Sequence, residues 1–211
     1  MDHAAKSLPL QEPVLHELYA PSPLFTWPEL QCMASDGILR PLYGRSFVAP
    51  GVTVTTRLRA RAAALTVPER MRRKVVAGRL TAAWIYGCAN PPERLSLLVD
   101  AKHRISSLRG AGGCSLHEVR LGQMDVVSLG GMLVSSPLRT AADIALHVEA
   151  PRALPALKRL LDRQDLGVRL RLLTLAVEAA PRVPHKKRAL ATLAQLASAE
   201  NRPPTVLEGR P

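Results

Sequence analysis

Apolar residues at the start of the chain follow two helical patterns and then an alternating one. Residues 10–19 carry leucines and a valine three and four positions apart, which predicts a helix. A second helix is predicted after Thr26, the N-cap, with Glu29 completing a capping box and Gly37 following its end. Residues 39–48 predict two short strands around a Tyr-Gly turn. Two helices and a hairpin in this order are typical of a small winged-helix module.

The centre of the chain mixes helical and strand patterns. An Ala- and Arg-rich stretch over 55–65 predicts a helix, and the segment after Pro68 predicts either one turn of helix or a basic loop. A short helix is predicted over 80–86. Apolar or alternating runs predict strands at 75–77, 94–100, 115–121 and, on either side of a Gly-Gly pair, within 124–136. We therefore expect a mixed α/β centre.

Beyond residue 136 the patterns are helical until the polar, proline-rich end, which is predicted to be disordered. Helices are predicted over 137–148, 152–162, 166–179 and 185–198. The breaks between them are marked by Pro151, Pro181 and Pro184. Because strands cluster before helices, the chain is predicted to be α+β rather than a doubly wound sheet. The predicted organisation is a winged-helix-like module (1–54), an α/β core (55–148), a helical region (149–199) and a disordered tail (200–211).

The distribution of charge points to a polyanionic partner. Lys and Arg total 29 against 17 acids, a formal charge of +12. Between residues 40 and 79 there is one acid, Glu69, and ten basic residues: Arg40, Arg45, Arg57, Arg59, Arg61, Arg70, Arg72, Arg73, Lys74 and Arg79. A solvated surface usually interleaves both signs, so this run favours one phosphate-facing surface. A run that only keeps the protein in solution is the alternative.

The cysteines and the termini narrow the class of protein further. Cys32, Cys88 and Cys114 are far apart and form no CxxC pair, so reduced, buried thiols are expected rather than zinc ligands or disulfides. The N-terminus lacks the apolar region of a signal peptide, and no apolar run is long enough to span a membrane. A cytoplasmic protein without membrane contact is expected.

The stretch SSPLRTAADIAL at 135–146 carries the strongest helix start. Ser136 is the expected N-cap and Pro137 the first helical residue. Arg139 and Asp143 then lie one turn apart on one face. An exposed pair of this kind contributes only about 0.3–0.5 kcal/mol, whereas in a partly buried pair Arg139 also reaches a strand-end carbonyl or a carboxylate and sets the docking angle of the helix on the sheet. A structural role is predicted. Contact with a partner is the alternative.

The run VSSPLRTAAD resembles the hallmark of the AbiEi family of antitoxins, especially its actinobacterial members. The resemblance extends through GRLTAAWIYGCANPPERLSLLVD and DGILRPLYGRSFVAPG and covers roughly 25–148. The motif residues are Ser136, Pro137, Arg139, Thr140 and Asp143. The resemblance implies a protein that represses its own operon through a winged helix-turn-helix. It also implies that the rest of the chain counters a nucleotidyltransferase toxin in type IV fashion, without a stable complex, and is not an enzyme.

The resemblance also implies DNA contacts. The implied contacts are Thr26, Trp27, Glu29 and Gln31 on the helix and Arg40, Tyr43 and Arg45 on the wing. By their spacing, Arg57 and Arg61 fall on one face of the next helix, where they are candidates for further phosphate contacts. The sequence departs from the family between Ser22 and Ile38, where there is room for one helix instead of two. Either helix 10–19 takes the first role or the module is degenerate.

Two functions of other classes stay open. Asp100 and Lys102, at the end of a predicted strand, resemble half of a PD-(D/E)xK nuclease site, although Glu93 is too near in sequence to supply the second acid. The other function is an interaction protein whose basic surface meets an acidic protein or RNA. No metal or cofactor is expected, and the oligomeric state is left open.

Several remaining side chains have structural interpretations. His117 and Glu118 alternate on one strand, so they face opposite sides and cannot share a ligand. Trp84 and Tyr86 are expected in the core. The basic residues from His185 to Arg188 open the last helix and are expected to be exposed.

Overall fold

A computed structural model describes residues 17–101, 113–180 and 184–200, and it confirms the α+β class with a helical C-terminal part. The helices are α1 (Trp27–Ser35), α2 (Thr56–Thr66), α3 (Glu69–Arg72), α4 (Arg79–Ile85), α5 (Pro137–His147), α6 (Ala150–Asp162), α7 (Leu170–Ala179) and α8 (Lys186–Glu200). The strands are β1 (Arg40–Tyr43), β2 (Ser46–Val48), β3 (Val76–Ala77), β4 (Leu95–Asp100), β5 (Cys114–Val119), β6 (Val126–Leu129) and β7 (Met132–Ser135). Short 3-10 turns lie at Gln123–Asp125 and Gln164–Leu166.

The strands form two sheets. The β1–β2 hairpin stands alone as a two-stranded sheet, and the other strands form a five-stranded sheet in the order β5-β4-β3-β7-β6. This sheet is mixed: β3 runs parallel to β7 and antiparallel to β4, β4 runs parallel to β5, and β6 and β7 form a hairpin. Helix α4 follows β3 directly and packs on β4, while α5 follows β7 and packs against α4.

One large apolar core joins the sheet to the helices. It extends along the chain from Ala60 in α2 to Leu196 in α8, so the predicted α/β and helical regions share it, and their division stays a prediction. Trp84 and Tyr86 are buried in this core, as predicted. The Tyr86 hydroxyl donates to the Ser135 carbonyl at 2.8 Å, which satisfies its polar atom, and burial raises its pKa.

A second, smaller cluster belongs to the N-terminal module. Leu30 of α1 packs there with Leu39 and Phe47 of the hairpin region. The module is attached to the body by the Tyr43 ring, which lies 4.7 Å from the Trp84 ring, centroid to centroid. The wing is thus anchored in the main core rather than projecting freely.

The prediction of a helix over 10–19 is wrong at its end. Residues 10–16 lie outside the described part of the chain, and residues 17–20 are not helical. Instead, Tyr19 forms an antiparallel bridge with Phe47, with two backbone hydrogen bonds of 2.8 Å. The segment therefore pairs as a strand does, with Leu18 packed against the main core and Tyr19 against the smaller cluster. The bridge is non-local, so helical spacing alone could not reveal it.

Other boundaries moved by a few residues. Pro151 lies in the first turn of α6, not before it, because the first N–H groups of a helix have no intrahelical partner for a proline to remove. The segment after Pro68 forms one turn of helix, α3. The predicted helix over 166–179 begins only at Leu170, after the second 3-10 turn. Pro181 and most of the predicted tail, from residue 201, lie outside the described residues.

Candidate functional site

Helix α1 has the predicted capping box, and the box uses two of the predicted contact residues. The Thr26 backbone N–H donates to the Glu29 carboxylate at 2.7 Å, and the Thr26 hydroxyl accepts from the Glu29 N–H at 3.5 Å. Hydrogen bonds from the Thr26 backbone and hydroxyl lower the pKa of Glu29. The side chains of Thr26 and Glu29 therefore hold the start of α1.

Trp27, Gln31 and Arg45 form what we call the wing surface. The Trp27 ring is half-buried on Phe47, with ring centroids 5.5 Å apart. The Arg45 guanidinium, from the turn of the hairpin, lies 4.7 Å above the Trp27 ring in a cation–π contact. Gln31 is exposed one turn further along α1. The structure thus brings three of the predicted contact residues to the junction of helix and wing.

The other two wing candidates are held by the protein itself. Arg40 donates from Nη2 to the Val52 carbonyl at 2.9 Å. Tyr43 is half-buried against Trp84, and burial, with a smaller effect of Cys114, raises its pKa to about 12. Tyr43 is therefore a packing residue between the module and the body, which the strand pattern of the hairpin could not reveal.

Arg57 and Arg61, which we call the α2 arginines, lie together on an exposed face of α2. Both border an open depression beside the β6–β7 turn. That turn touches the helix closely: a Cβ on Gly130 would lie 2.5 Å from the Arg57 carbonyl oxygen. Arg61 also borders a groove of about 450 Å³ between α2 and residues 18–25. The predicted pairing of these two arginines on one face is thus present.

The basic run from 40 to 79 does not form the single surface that its composition favoured. Arg59, two residues from Arg61, points instead toward Gly87 and Arg163, because residues two apart on a helix face different sides. Burial and the charge of Arg163 lower the pKa of Arg59. Arg79 lies beside His117, at yet another place. The charge is divided among at least three environments.

The Arg139–Asp143 pair of the 135–146 motif has the partly buried arrangement of the two that the sequence left open. Arg139 donates from Nε to Asp143 at 3.0 Å and from Nη1 to the Arg120 carbonyl, after β5, at 3.0 Å. Nη1 also reaches the Asp125 carboxylate at 2.7 Å. Burial raises the pKa of Asp143 above its ordinary value, and the Arg139 guanidinium opposes that rise. The group ties α5 to the β5–β6 connection and is structural.

The start of α5 differs from the expected cap in one detail. The Ser136 side chain makes no capping hydrogen bond, although its carbonyl accepts from the Thr140 N–H at 2.8 Å. The buried hydroxyls of Thr140 and Ser135 lie 2.7 Å apart, and the Thr140 hydroxyl lies 3.0 Å from the Ser135 carbonyl. Pro137 is the first helical residue, as predicted. The role of Asp125 had no local signal, since its partner lies in another element.

The nuclease hypothesis gains no support from the described residues. Asp100 ends β4 as predicted, but Lys102 lies outside the described part of the chain. Glu93 borders a cavity that also contains Arg94 and Arg152. Within residues 17–101, 113–180 and 184–200, no group of three His, Cys, Asp or Glu side chains could hold a metal ion.

The remaining polar candidates are placed as follows. His117 is half-buried and Glu118 exposed, consistent with opposite faces of β5. The Lys186 ammonium donates to the carbonyls of Glu178 and Ala180 and so caps the end of α7. Its neighbours His185, Lys187 and Arg188 are exposed. Cys88 and Cys114 are buried free thiols, but Cys32 is exposed on α1, contrary to the prediction for all three.

Comparisons with known proteins identify no family. No family model matches the chain, and no curated protein matches it. Among solved structures, the chain is similar to the crystal structure of the Rv2827c protein from Mycobacterium tuberculosis, with 14% identity and a TM-score of 0.35 over 77% of this chain and 68% of that one. This similarity is too distant to indicate a function. Across the described residues, no helix is long and apolar enough to cross a membrane.

Proposed function

We propose that this protein is a DNA-binding transcriptional autoregulator and AbiEi-like antitoxin. The observation that carries the proposal is the Arg45 guanidinium stacked on Trp27 beside the start of α1. Stacking fixes the guanidinium in place while leaving its N–H donors free for phosphate or base oxygens. Among the described residues, Arg45 and the α2 arginines form no ion pair, so their charge is available to a polyanion.

The wing surface supports a division of roles. Gln31 projects from α1, and its amide can pair with the edge of an adenine in the major groove. Arg45 and the α2 arginines supply phosphate contacts, which position the protein without reading sequence. A module with one helix before the wing, in residues 17–48, rests on fewer base contacts than a full helix-turn-helix. We therefore propose modest affinity with a steep dependence on salt.

The experiment is fluorescence anisotropy with a duplex from the protein's own promoter, at salt concentrations between about 50 and 200 mM. We expect Arg45→Ala, and separately Arg57→Ala with Arg61→Ala, to weaken binding and to reduce the slope of log K against log salt by about 1 per lost phosphate contact. Gln31→Ala should reduce the difference in binding affinity between the promoter duplex and unrelated DNA, and it should leave the slope of log K against log salt unchanged.

Arg171→Ala is the matched control, because Arg171 is an exposed arginine on α7, away from the module. It removes the same charge and should leave binding close to wild type. The proposal fails if the wild-type protein binds its promoter no better than unrelated DNA, or if Arg45→Ala and Arg171→Ala have equal effects.

The antitoxin half of the proposal rests on the VSSPLRTAAD resemblance and has its own test. A nucleotidyltransferase gene beside this one would be expressed alone and together with it. We expect co-expression to restore growth, also with Arg45→Ala, because the resemblance assigns toxin control to the region after the wing. Type IV control predicts rescue without the toxin being retained on the tagged protein. Absence of rescue would remove the antitoxin half and leave the regulator standing.

A further inference from the structure

A second cationic site lies away from the wing surface, in what we call the Arg79 cavity. This cavity of about 400 Å³ is bordered by the start of α4, the loop before β4, strand β5 and the α5–α6 junction. Its charged and titratable lining consists of Arg79, Arg94, His117, His147, Arg152, Glu93 and Glu149. Neither the basic run nor the family resemblance indicated it, because the lining comes from four separate stretches of the chain.

Arg79 carries two unfavourable features at once. Its backbone adopts the left-handed conformation, with φ +51°, which side chains with a Cβ disfavour. Its Nε is buried without a hydrogen-bond partner. Among the described residues Arg79 forms no ion pair; burial lowers the pKa of its guanidinium, and the charge of the more distant Asp143 opposes that shift. Strained, unsatisfied groups of this kind cluster at ligand sites, where a bound group supplies the missing partner.

His117 orients Arg79 without neutralising it. The Arg79 Nη1 lies 3.2 Å from the His117 Nε2, and since a guanidinium can only donate, Nε2 is the acceptor and the imidazole proton lies on Nδ1. Burial, followed by the positive charges of Arg79 and His147, lowers the pKa of His117 to about 4. The imidazole is therefore neutral at pH 7, and the positive charge of the cavity is left uncompensated by this contact.

The strand beneath the cavity holds the start of α4 rigidly. The Gly78 N–H donates to the Ser96 carbonyl at 2.9 Å, and the Ser96 N–H donates to the buried Thr81 hydroxyl at 2.8 Å. A Cβ on Gly78 would lie 2.5 Å from the Leu98 side chain, so the backbone approaches β4 as closely as glycine allows. Arg79 thus starts from a fixed point, which is the preorganisation that a binding site requires.

The charges that border the cavity favour an anion. Three arginines, Arg79, Arg94 and Arg152, outnumber two glutamates, Glu93 and Glu149; Arg79 is half-buried and the other four are exposed. None of the five forms an ion pair among the described residues. The Ser96 and Ser115 hydroxyl groups, paired in register on β4 and β5, add neutral donors. Several guanidinium groups and hydroxyls around one space match the many oxygens of a phosphate group better than the two of a carboxylate.

We propose that the Arg79 cavity binds the phosphate group of a small phosphorylated ligand, with Arg79 and Arg152 as its charged contacts. A volume of about 400 Å³ is within the range of small-ligand sites. The site shares no residue with the wing surface or the α2 arginines. The proposal is therefore independent of DNA binding, and each can fail alone.

The test is thermal unfolding of the full chain with inorganic phosphate, pyrophosphate, or sodium chloride of equal ionic strength. We expect both phosphates to raise Tm above the chloride control, with pyrophosphate effective at lower concentration. Arg79→Gly should weaken the response at least tenfold in concentration. Because glycine tolerates a positive φ, this variant also relieves the backbone strain and should fold. Arg152→Ala should weaken the response, while Arg171→Ala should not.

Three outcomes overturn the proposal. The first is a phosphate response no larger than that of chloride. The second is an equal response from wild type, Arg79→Gly and Arg152→Ala. The third comes from a competition experiment that identifies the source of the phosphate. We expect a mononucleotide to displace pyrophosphate from the wild-type protein and a short DNA duplex not to displace it, and the reverse result overturns the proposal. Displacement by the duplex alone, lost in Arg79→Gly, would assign the cavity to nucleic acid instead.

Discussion

The Arg139 Nε donates to the Asp143 Oδ2 at 3.0 Å across one turn of α5, with Asp143 only 4% exposed. The same guanidinium bonds the Arg120 carbonyl and the Asp125 carboxylate. One side chain thus links α5 to the end of β5 and to the turn before β6. The pair fixes how the helix lies on the sheet, and it needs no partner protein to explain its burial.

Removal of the Arg139 guanidinium should therefore destabilise the fold. We expect Arg139→Met to lower the free energy of unfolding by about 3 kcal/mol, because Asp143 is left buried without its partner. Urea denaturation followed by circular dichroism measures this loss. The double variant Arg139→Met with Asp143→Leu should recover part of it, since no buried unpaired charge remains and Asp125, the other carboxylate partner, is 30% exposed.

Asp165→Ala is the comparison for that experiment. It breaks the Arg163–Asp165 ion pair, whose two side chains are 43% and 60% exposed, and it should have little effect on stability. Equal losses from Arg139→Met and Asp165→Ala would contradict a structural role for the buried pair.

Two adjacent glycines in the β6–β7 turn should differ sharply in their tolerance of alanine. Both have positive φ, but a Cβ on Gly130 would meet the Arg57 carbonyl oxygen at 2.5 Å, whereas a Cβ on Gly131 would meet nothing within 4 Å. We expect Gly131→Ala to cost about 1 kcal/mol from backbone strain alone. Gly130→Ala should cost about 3 kcal/mol, since α2 must also move. Equal losses in urea denaturation would mean that the turn does not touch α2.

Stability should fall in acid partly because of His117. Its pKa is about 4 in the folded protein and 6.5 when unperturbed, so between these values the unfolded chain binds a proton that the folded chain does not. Stability therefore decreases as the pH falls from 6.5 toward 4. In His117→Gln the free energy of unfolding should depend less on pH within this window. Urea denaturation at pH values between about 4 and 7.5 measures this dependence.

The raised pKa of Asp143 changes stability with pH in the opposite sense, but it does so equally in the wild type and in His117→Gln. The difference between their two curves of unfolding free energy against pH therefore reports His117. Parallel curves for wild type and His117→Gln would show that this imidazole is not buried beside Arg79.

The three thiols should react at very different rates. Cys32 is exposed on α1, whereas Cys88 and Cys114 are buried, and burial raises the pKa of both thiols. We expect one fast-reacting thiol per native chain with a disulfide reagent such as Ellman's, and none in Cys32→Ser. A second fast thiol in native Cys32→Ser would indicate that the core around Cys88 or Cys114 opens readily.

Elements with causes close by in sequence were predictable. The capping box at Thr26, the turn at Gly37 and the Ser-Pro start of α5 each depend on residues within one turn of the chain. The candidate site was less predictable from the sequence. Gln31 and Arg45 are exposed at the wing, as DNA contacts require, but Tyr43 packs inward on Trp84. An alternating pattern marks two faces of a hairpin without saying which one meets the body.

The sequence by itself determined the α+β class, the hairpins and the pairing of Arg139 with Asp143, because periodicity, capping and helical spacing are local properties. Only the tertiary structure decided that Tyr19 pairs with Phe47 and that the basic run is divided among separate environments. It also decided that Arg79 meets His117 in a cavity. The reason is physical: these arrangements depend on which distant elements pack together, and no local period records that choice.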